Sequence, residues 1–229
     1  MPSPDPETEQ PAPPQPAGTR TRRGMRTRDA LVAAARRIFE RDGYLGARIV
    51  DIAAEAKVAT GSFYTHFASK EDVFAAVLAR LQDEMLHAGV SDGDDGEPKD
   101  LWRGVEDANR AYLESYRRNA ALMAAMEQAA AVDPQFLRLR LERSRAFIDR
   151  SAAAIARLQQ SGLADPELDP EITARALSAM VSRLAYATFA LGESAPFDTL
   201  VETVTKLWTN ALRMPQNRAG QGRTLWSES

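Results

Sequence analysis

Apolar positions recur along most of the chain at intervals of three and four, the spacing of one face of an α-helix. From Thr27 to Asp42 the repeating set is Leu31, Ala34, Ala35, Ile38 and Phe39, and Gly43 follows as a stop. Ile49, Ile52, Ala53 and Ala56 predict a short second helix. Thr60–Phe67 predicts a third, with Phe63 and Phe67 on one face. Ser69 is placed to cap a fourth, with Glu71 and Asp72 in its first turn, where acids suit the helix dipole; it carries Val73, Phe74, Val77, Leu78 and Leu81 and runs to about His87.

Helical patterns fill the rest: Asp100–Arg118, Ala120–Val132, a long helix from Pro134 to about Ser161, another from Pro170 to about Leu191, and Phe197–Arg213. Asp133-Pro134 and Asp169-Pro170 each put a capping acid before a proline at the first helical position. No alternating strand pattern exceeds four residues, and no Asp-Gly pair joins two strand-like runs. The pattern predicts an all-α chain of about nine helices.

Residues 1–19 hold seven prolines, three acids and no basic or aromatic residue, a composition that cannot bury enough apolar surface to order itself, so this stretch is expected to be a disordered tail. Residues 215–229 also read as a tail, and Gly89–Lys99 as a loop. The N-terminus lacks the basic and apolar regions of a signal peptide, and no stretch nears a membrane span, so a soluble cytoplasmic chain without a membrane partner is expected. Absence of Cys excludes disulfides, thiolate metal sites and Cys nucleophiles, and two histidines, His66 and His87, exclude a three-histidine metal site. No metal site, cofactor site or catalytic residue is expected.

The net charge of -3 over 229 residues argues, taken whole, mildly against a nucleic-acid partner. Its distribution says otherwise. Residues 20–80 carry a net +5, residues 1–19 a net -3, and residues 81–229 a net -5. Arg20, Arg22, Arg23, Arg26 and Arg28 crowd into nine residues. A basic block on an acidic chain is the footprint of a nucleic-acid binder, although charge alone leaves a solvated arm equally open.

The basic block also contains the most specific motif. Ile49–Ala56 and Thr60–Phe67, separated by Lys57-Val58-Ala59, form a helix-turn-helix by length and turn size, which places its second helix in the DNA major groove. Ile52, Ala53, Val58, Phe63 and Phe67 would make its core with Ile38 and Phe39, leaving Thr60, Gly61, Ser62, Tyr64, Thr65 and His66 outward. Small hydroxyls suit base edges and phosphates, a tyrosine hydroxyl suits phosphate, and Gly61 lets the backbone come close. Lys70 stands at the next helix start. Packing alone is the competing reading for Tyr64 and His66, capping for Thr60, and solvation for Ser62.

Arg28 through Phe74 resembles the N-terminal DNA-binding domain of the TetR family of transcriptional regulators. The matching residues are Ala35 with Phe39, Gly43-Tyr44, Asp51-Ile52-Ala53, Ala56 with Val58, Gly61-Ser62-Phe63-Tyr64, His66-Phe67, Ser69-Lys70-Glu71 and Val73. Three positions depart from the family pattern. Ala47-Arg48 replaces a frequent Thr pair, removing a cap whose loss weakens a helix by roughly 1 kcal/mol. Arg48 is thereby offered to phosphate. Lys57 stands where the turn usually has Gly, and Ala59 where it often has Ser, leaving Thr60 as the candidate cap.

The resemblance implies a homodimeric repressor that binds a palindromic double-stranded DNA operator and is released by a small-molecule effector. It divides the chain into a tail (1–19), a basic arm with the helix-turn-helix unit (20–86), a helical ligand-binding and dimerisation unit (87–214) and a second tail (215–229). The DNA-contacting set is then Arg28, Arg48, Thr60, Gly61, Ser62, Tyr64, Thr65, His66 and Lys70. The last two helices match the family's dimer pair, with Ala176, Met180, Leu200, Val204, Leu207 and Trp208 as candidates. Candidate ligand contacts in the middle helices are Trp102, Asn109, Tyr112, Met123, Met126, Glu127, Phe147, Arg183 and Tyr186. The aromatic and Met-rich walls favour a bulky apolar effector. Arg143, Arg150 and Arg157 recur every seven residues and read as one solvated stripe, with Arg138–Glu142 and Arg145–Asp149 pairing locally, so the stripe carries no ligand reading. An activator or ligand-independent regulator of the same fold is the alternative, and an all-α enzyme a remote one.

Overall fold

The computed structural model describes residues 22–88 and 101–215. The two expected tails (apart from Pro215), the Gly89–Lys99 loop and Arg20 lie outside the described residues. Within them the chain forms α1 (Arg22–Gly46), α2 (Ile49–Glu55), α3 (Thr60–Tyr64), α4 (Lys70–Ala88), α5 (Leu101–Arg118), α6 (Ala120–Val132), α7 (Pro134–Gln160), α8 (Pro170–Phe189) and α9 (Phe197–Ala211). Nine helices and no strand are thus seen among the described residues, and none of these helices is long and apolar enough to cross a membrane.

Three helix starts follow from the capping chemistry in the sequence. The Asp133 carboxylate accepts from Gln135 N–H at 2.7 Å and that of Asp169 from Ile172 N–H at 2.8 Å, each ahead of the expected proline. Ser69 Oγ accepts from Asp72 N–H at 3.1 Å, and Asp72 Oδ2 accepts in return from Ala68 N–H at 3.1 Å. Asp72 is too short for a standard capping box, so its return bond reaches one residue further upstream. Gly162 takes φ +69° after α7, and Leu163 N–H bonds back to Leu158 O at 2.8 Å.

Three boundaries differ from expectation. α1 begins at Arg22, so Arg22–Arg28 belong to a helix instead of a free arm. The α3 helix ends at Tyr64, because the next turn tightens: His66 N–H bonds to Phe63 O at 2.9 Å, three residues back. Thr60 is the first helical residue of α3 and not its cap; Ala59 holds the cap position with no side-chain bond.

Leu31, Ala34, Ala35, Ile38 and Phe39 bury the inner face of α1 against α2, α4 and α6. Phe39, Tyr44, Phe74 and Phe136 form an aromatic knot across α1, α4 and α7, with Phe39–Phe74 centroids 4.4 Å apart and Tyr44–Phe136 centroids 5.4 Å apart. The main core is therefore continuous from α1 through the N-terminal helices into α5, α6, α8 and α9. A smaller cluster around Ile155, Ala174, Leu177 and Leu212 closes the far end.

Candidate DNA-reading face and effector cavity

The helix-turn-helix is built on a buried triangle of Ile52, Ala53 and Phe63, all at most 1 % exposed. The turn between α2 and α3 is a Schellman motif. Val58 N–H bonds to Ala53 O and Lys57 N–H to Ala54 O, both at 3.0 Å, and Lys57 adopts φ +57°. A side chain in that left-handed region is disfavoured by roughly 1–2 kcal/mol, the consequence of Lys where glycine is usual.

α3 and the turn after it leave Thr60, Gly61, Tyr64 and Thr65 exposed to solvent, with Ser62 and His66 half-buried. The Tyr64 ring is 56 % exposed, although it meets Phe63 edge-on at 5.5 Å, so packing does not account for it. A Cβ on Gly61 would meet nothing within 4 Å. No intramolecular contact requires glycine there, and glycine inside a helix is about 1 kcal/mol worse than alanine.

The basic residues around α3 are held in place. The Arg28 guanidinium lies 4.9 Å over the Phe67 ring. Arg48, whose side chain is 72 % exposed, grips Asp51 through Nε at 2.7 Å and Nη2 at 3.0 Å. Lys70 Nζ donates to Tyr44 O at 3.0 Å and sits 4.6 Å over that ring. This lysine is turned inward, more committed to the fold than the sequence suggested. The Tyr44 hydroxyl donates to Glu71 Oε1 at 3.0 Å. Burial, then that bond, pushes the Tyr44 phenol well above its ordinary range.

The C-terminal helices enclose an open-mouthed cavity of about 610 Å³ between α5, α6, α7 and α8. Seven of the nine expected contacts line it: Tyr112, Met123, Met126, Glu127, Phe147, Arg183 and Tyr186. Asn109 and Trp102 do not. Asn109 is 7 % exposed and its Nδ2 donates to Thr205 Oγ1 at 3.2 Å, so it is a satisfied core amide joining α5 to α9. Trp102 stands two turns before that residue, half-buried and away from the cavity.

The arginine stripe is also corrected. Arg143 and Arg150 line the cavity together with Arg140, while Arg157 is exposed. Arg143 Nη1 lies 3.7 Å from Met126 Sδ, and burial among apolar groups holds its guanidinium below the usual arginine range. Tyr116, Arg175, Ser178 and Ser182 complete features missing from the expected contact set.

Of the expected dimer residues, Leu200 and Val204 are buried at 4 % and 0 % exposure in the chain's own core, because that face of α9 packs on α5. Trp208 is half-buried between the two core clusters. Ala176 and Leu207 remain exposed and Met180 half-exposed, flanked by exposed Ile172 and Leu191.

A helix-turn-helix unit carried on an all-helical, cavity-bearing body is the architecture of a one-chain transcriptional regulator. Residues 31–77 match the family model for bacterial regulatory proteins of the tetR family, and residues 105–213 match that for the C-terminal domain of the transcriptional regulator EthR. The chain is similar to EthR of Mycolicibacterium smegmatis, 26% identical over 208 residues, 85% of this chain and 93% of that relative. It is similar over 64 residues to the transcriptional repressor NicS of Pseudomonas putida, 38% identical, covering 28% of this chain and 30% of that protein. A solved transcriptional regulator from Rhodococcus sp. superposes with a TM-score of 0.68 at 25% identity, covering 81% of this chain and 96% of that one. The chain belongs to the TetR family of transcriptional regulators, and it binds DNA in that capacity.

Proposed function

We propose that this regulator is a cytoplasmic homodimeric repressor that reads a palindromic operator and lets go when a small, largely apolar molecule fills the cavity. In this reading residues 20–86 are the DNA-binding unit and residues 87–214 the effector-binding and dimerisation unit. Tyr64, Thr65, Thr60, Ser62 and His66 meet bases and phosphates, and Gly61 lets the α3 backbone approach. Arg28 and Arg48 flank that face as phosphate contacts, and Lys70 joins them only by leaving its bond to Tyr44 O. A two-fold axis through α8 and α9 would set two such faces about one helical turn of DNA apart, ~34–36 Å.

The observation that carries the reading is the exposed, chemically equipped face of α3, with its solvent-facing Tyr64 and its Gly61 unexplained by packing. A cavity of about 610 Å³ favours an effector-responsive regulator over a ligand-independent one. The test is fluorescence anisotropy of the full chain with duplex DNA flanking its own gene. Expected is saturable, sequence-preferring binding that weakens steeply with salt. Equal affinity for scrambled duplexes would overturn it.

A further inference from the structure

The composition of the cavity wall is unusual for an apolar effector site. Its floor is aromatic and thioether: Tyr112, Tyr116, Phe147, Tyr186, Met123 and Met126. Set into that floor and rim are five arginines, Arg140, Arg143, Arg150, Arg175 and Arg183, against one carboxylate among the described lining residues, Glu127. Glu127 offsets one of these charges, through an ion pair of its Oε1 with Arg140 Nη1 at 3.6 Å. Arg175 has its acid outside, on Glu171 at 2.8 Å.

Two buried polar atoms of the wall, Arg140 Nε and Ser178 Oγ, have no hydrogen-bond partner among the described residues. A buried donor without an acceptor is unfavourable, and one on a guanidinium is suited to an oxyanion. Arg143, one turn along α7 from Arg140, sits deeper, against Met126, Tyr112 and Tyr116. The more exposed Arg150 and Arg183 rest over their neighbouring rings, Phe147 at 5.9 Å and Tyr186 at 5.4 Å, where their charge raises the local concentration of anions at the mouth.

We infer that the cavity takes an amphipathic organic anion, its aromatic or aliphatic body on the Tyr and Met floor and its oxyanion head, carboxylate or sulfonate, on the guanidinium groups of Arg140 and Arg143. This rests on the effector-cavity reading above and adds the charge of the effector to it. Arg143 is the anchor: its fork can bond two oxygens in a site where water competes poorly. Removing one of two matched charges at such a site changes affinity by about tenfold or more.

The test uses two dyes with one ring body. 1-Anilinonaphthalene-8-sulfonate carries an anionic head, and N-phenyl-1-naphthylamine lacks it. Both are titrated into the full chain by fluorescence. Expected is one sulfonate dye per chain, bound about tenfold tighter than the neutral dye. Arg143→Met should remove that preference while leaving the neutral dye within about twofold, and Arg143→Lys, which keeps the charge but loses the fork, should retain only part of it. Arg140→Met is the second variant should Arg143→Met unfold. Arg157→Met, on exposed α7 surface outside the cavity, should change neither dye. Equal affinity for both dyes, or equal loss on Arg157→Met, overturns the anionic-head assignment and leaves the cavity standing. Binding of neither dye removes the effector cavity itself, and this inference with it.

Discussion

Gln128 of α6 accepts the backbone N–H of Tyr44 through Oε1 at 3.0 Å, tying the end of α1 to the helix that carries Met123, Met126 and Glu127 into the cavity wall. The bond fits because Gly43 has no side chain: a Cβ there would lie 2.7 Å from Gln128 Oε1, and Gly43 itself takes φ +69°. One side chain thus spans from the cavity helix to the DNA-binding helices. The core is continuous across the same junction, so α6 and α1 are joined by packed side chains and not by a linker.

Gln128→Ala should lower stability by about 1 kcal/mol and speed hydrogen exchange at the Tyr44 amide about tenfold. Gly43→Ala should be worse, since it meets both the close contact and the left-handed backbone. In the double variant the contact disappears, because all three nearest atoms belong to Gln128, leaving the lost Gln128 bond and the backbone penalty of roughly 1–2 kcal/mol. A double-mutant cycle by urea denaturation checks this. Strict additivity would refute the contact.

Lys57→Gly should stabilise the chain by about 1 kcal/mol, because glycine takes φ +57° without strain and the Schellman bonds are already in place. Its effect on DNA should run the other way. Where Lys57 lies beside a phosphate, its loss reduces the salt slope of binding by about one unit. Thermal melts and anisotropy at three salt concentrations separate the two.

The nine helices were legible because their signals are local: apolar spacing, Asp-Pro caps, and glycine stops. Lys57 in place of the usual turn Gly was legible too, and its φ of +57° is the consequence. The misses were set by which helix packs on which. Asn109 looks like a lone polar group in apolar sequence, and only the position of Thr205 on α9 makes it a core amide. Leu200 and Val204 sit on a face that could equally serve another subunit or α5. The arginine stripe was misread through its spacing of seven. Phe147, four residues after Arg143 on the same face, and Ser151 and Ala154 beyond it continue the stripe into the cavity, a signal present in the sequence but outweighed by the charges.

Gly61→Ala separates function from folding. Within α3 the new methyl group meets open space, so stability should rise by up to about 1 kcal/mol. DNA affinity should fall at least about tenfold, because the methyl stands where the duplex backbone or a base edge would approach. Unchanged operator affinity by anisotropy would mean that α3 does not lie close to the duplex at this residue. Tyr64→Ala, which removes a ring already 56 % exposed, should leave the melting temperature nearly unchanged and also weaken DNA binding.

The dimer surface can be tested by contrasting two residues three apart on α9. Val204 is fully buried in the chain's own core, whereas Leu207 is 44 % exposed near the exposed Ala211 and Thr203. Val204→Ala should therefore lower stability by about 2 kcal/mol with no change of mass in solution. Leu207→Glu should do the reverse: an isolated chain keeps its stability, but a two-fold interface acquires two carboxylates facing each other in a low-dielectric contact. Analytical ultracentrifugation should read near twice 25.1 kDa for the parent chain and near 25.1 kDa for Leu207→Glu. DNA affinity should fall with the mass, since a monomer holds only one half-site. A Leu207→Glu chain that sediments as the parent does would place the two-fold contact elsewhere, on the apolar face of α8 that includes Ile172.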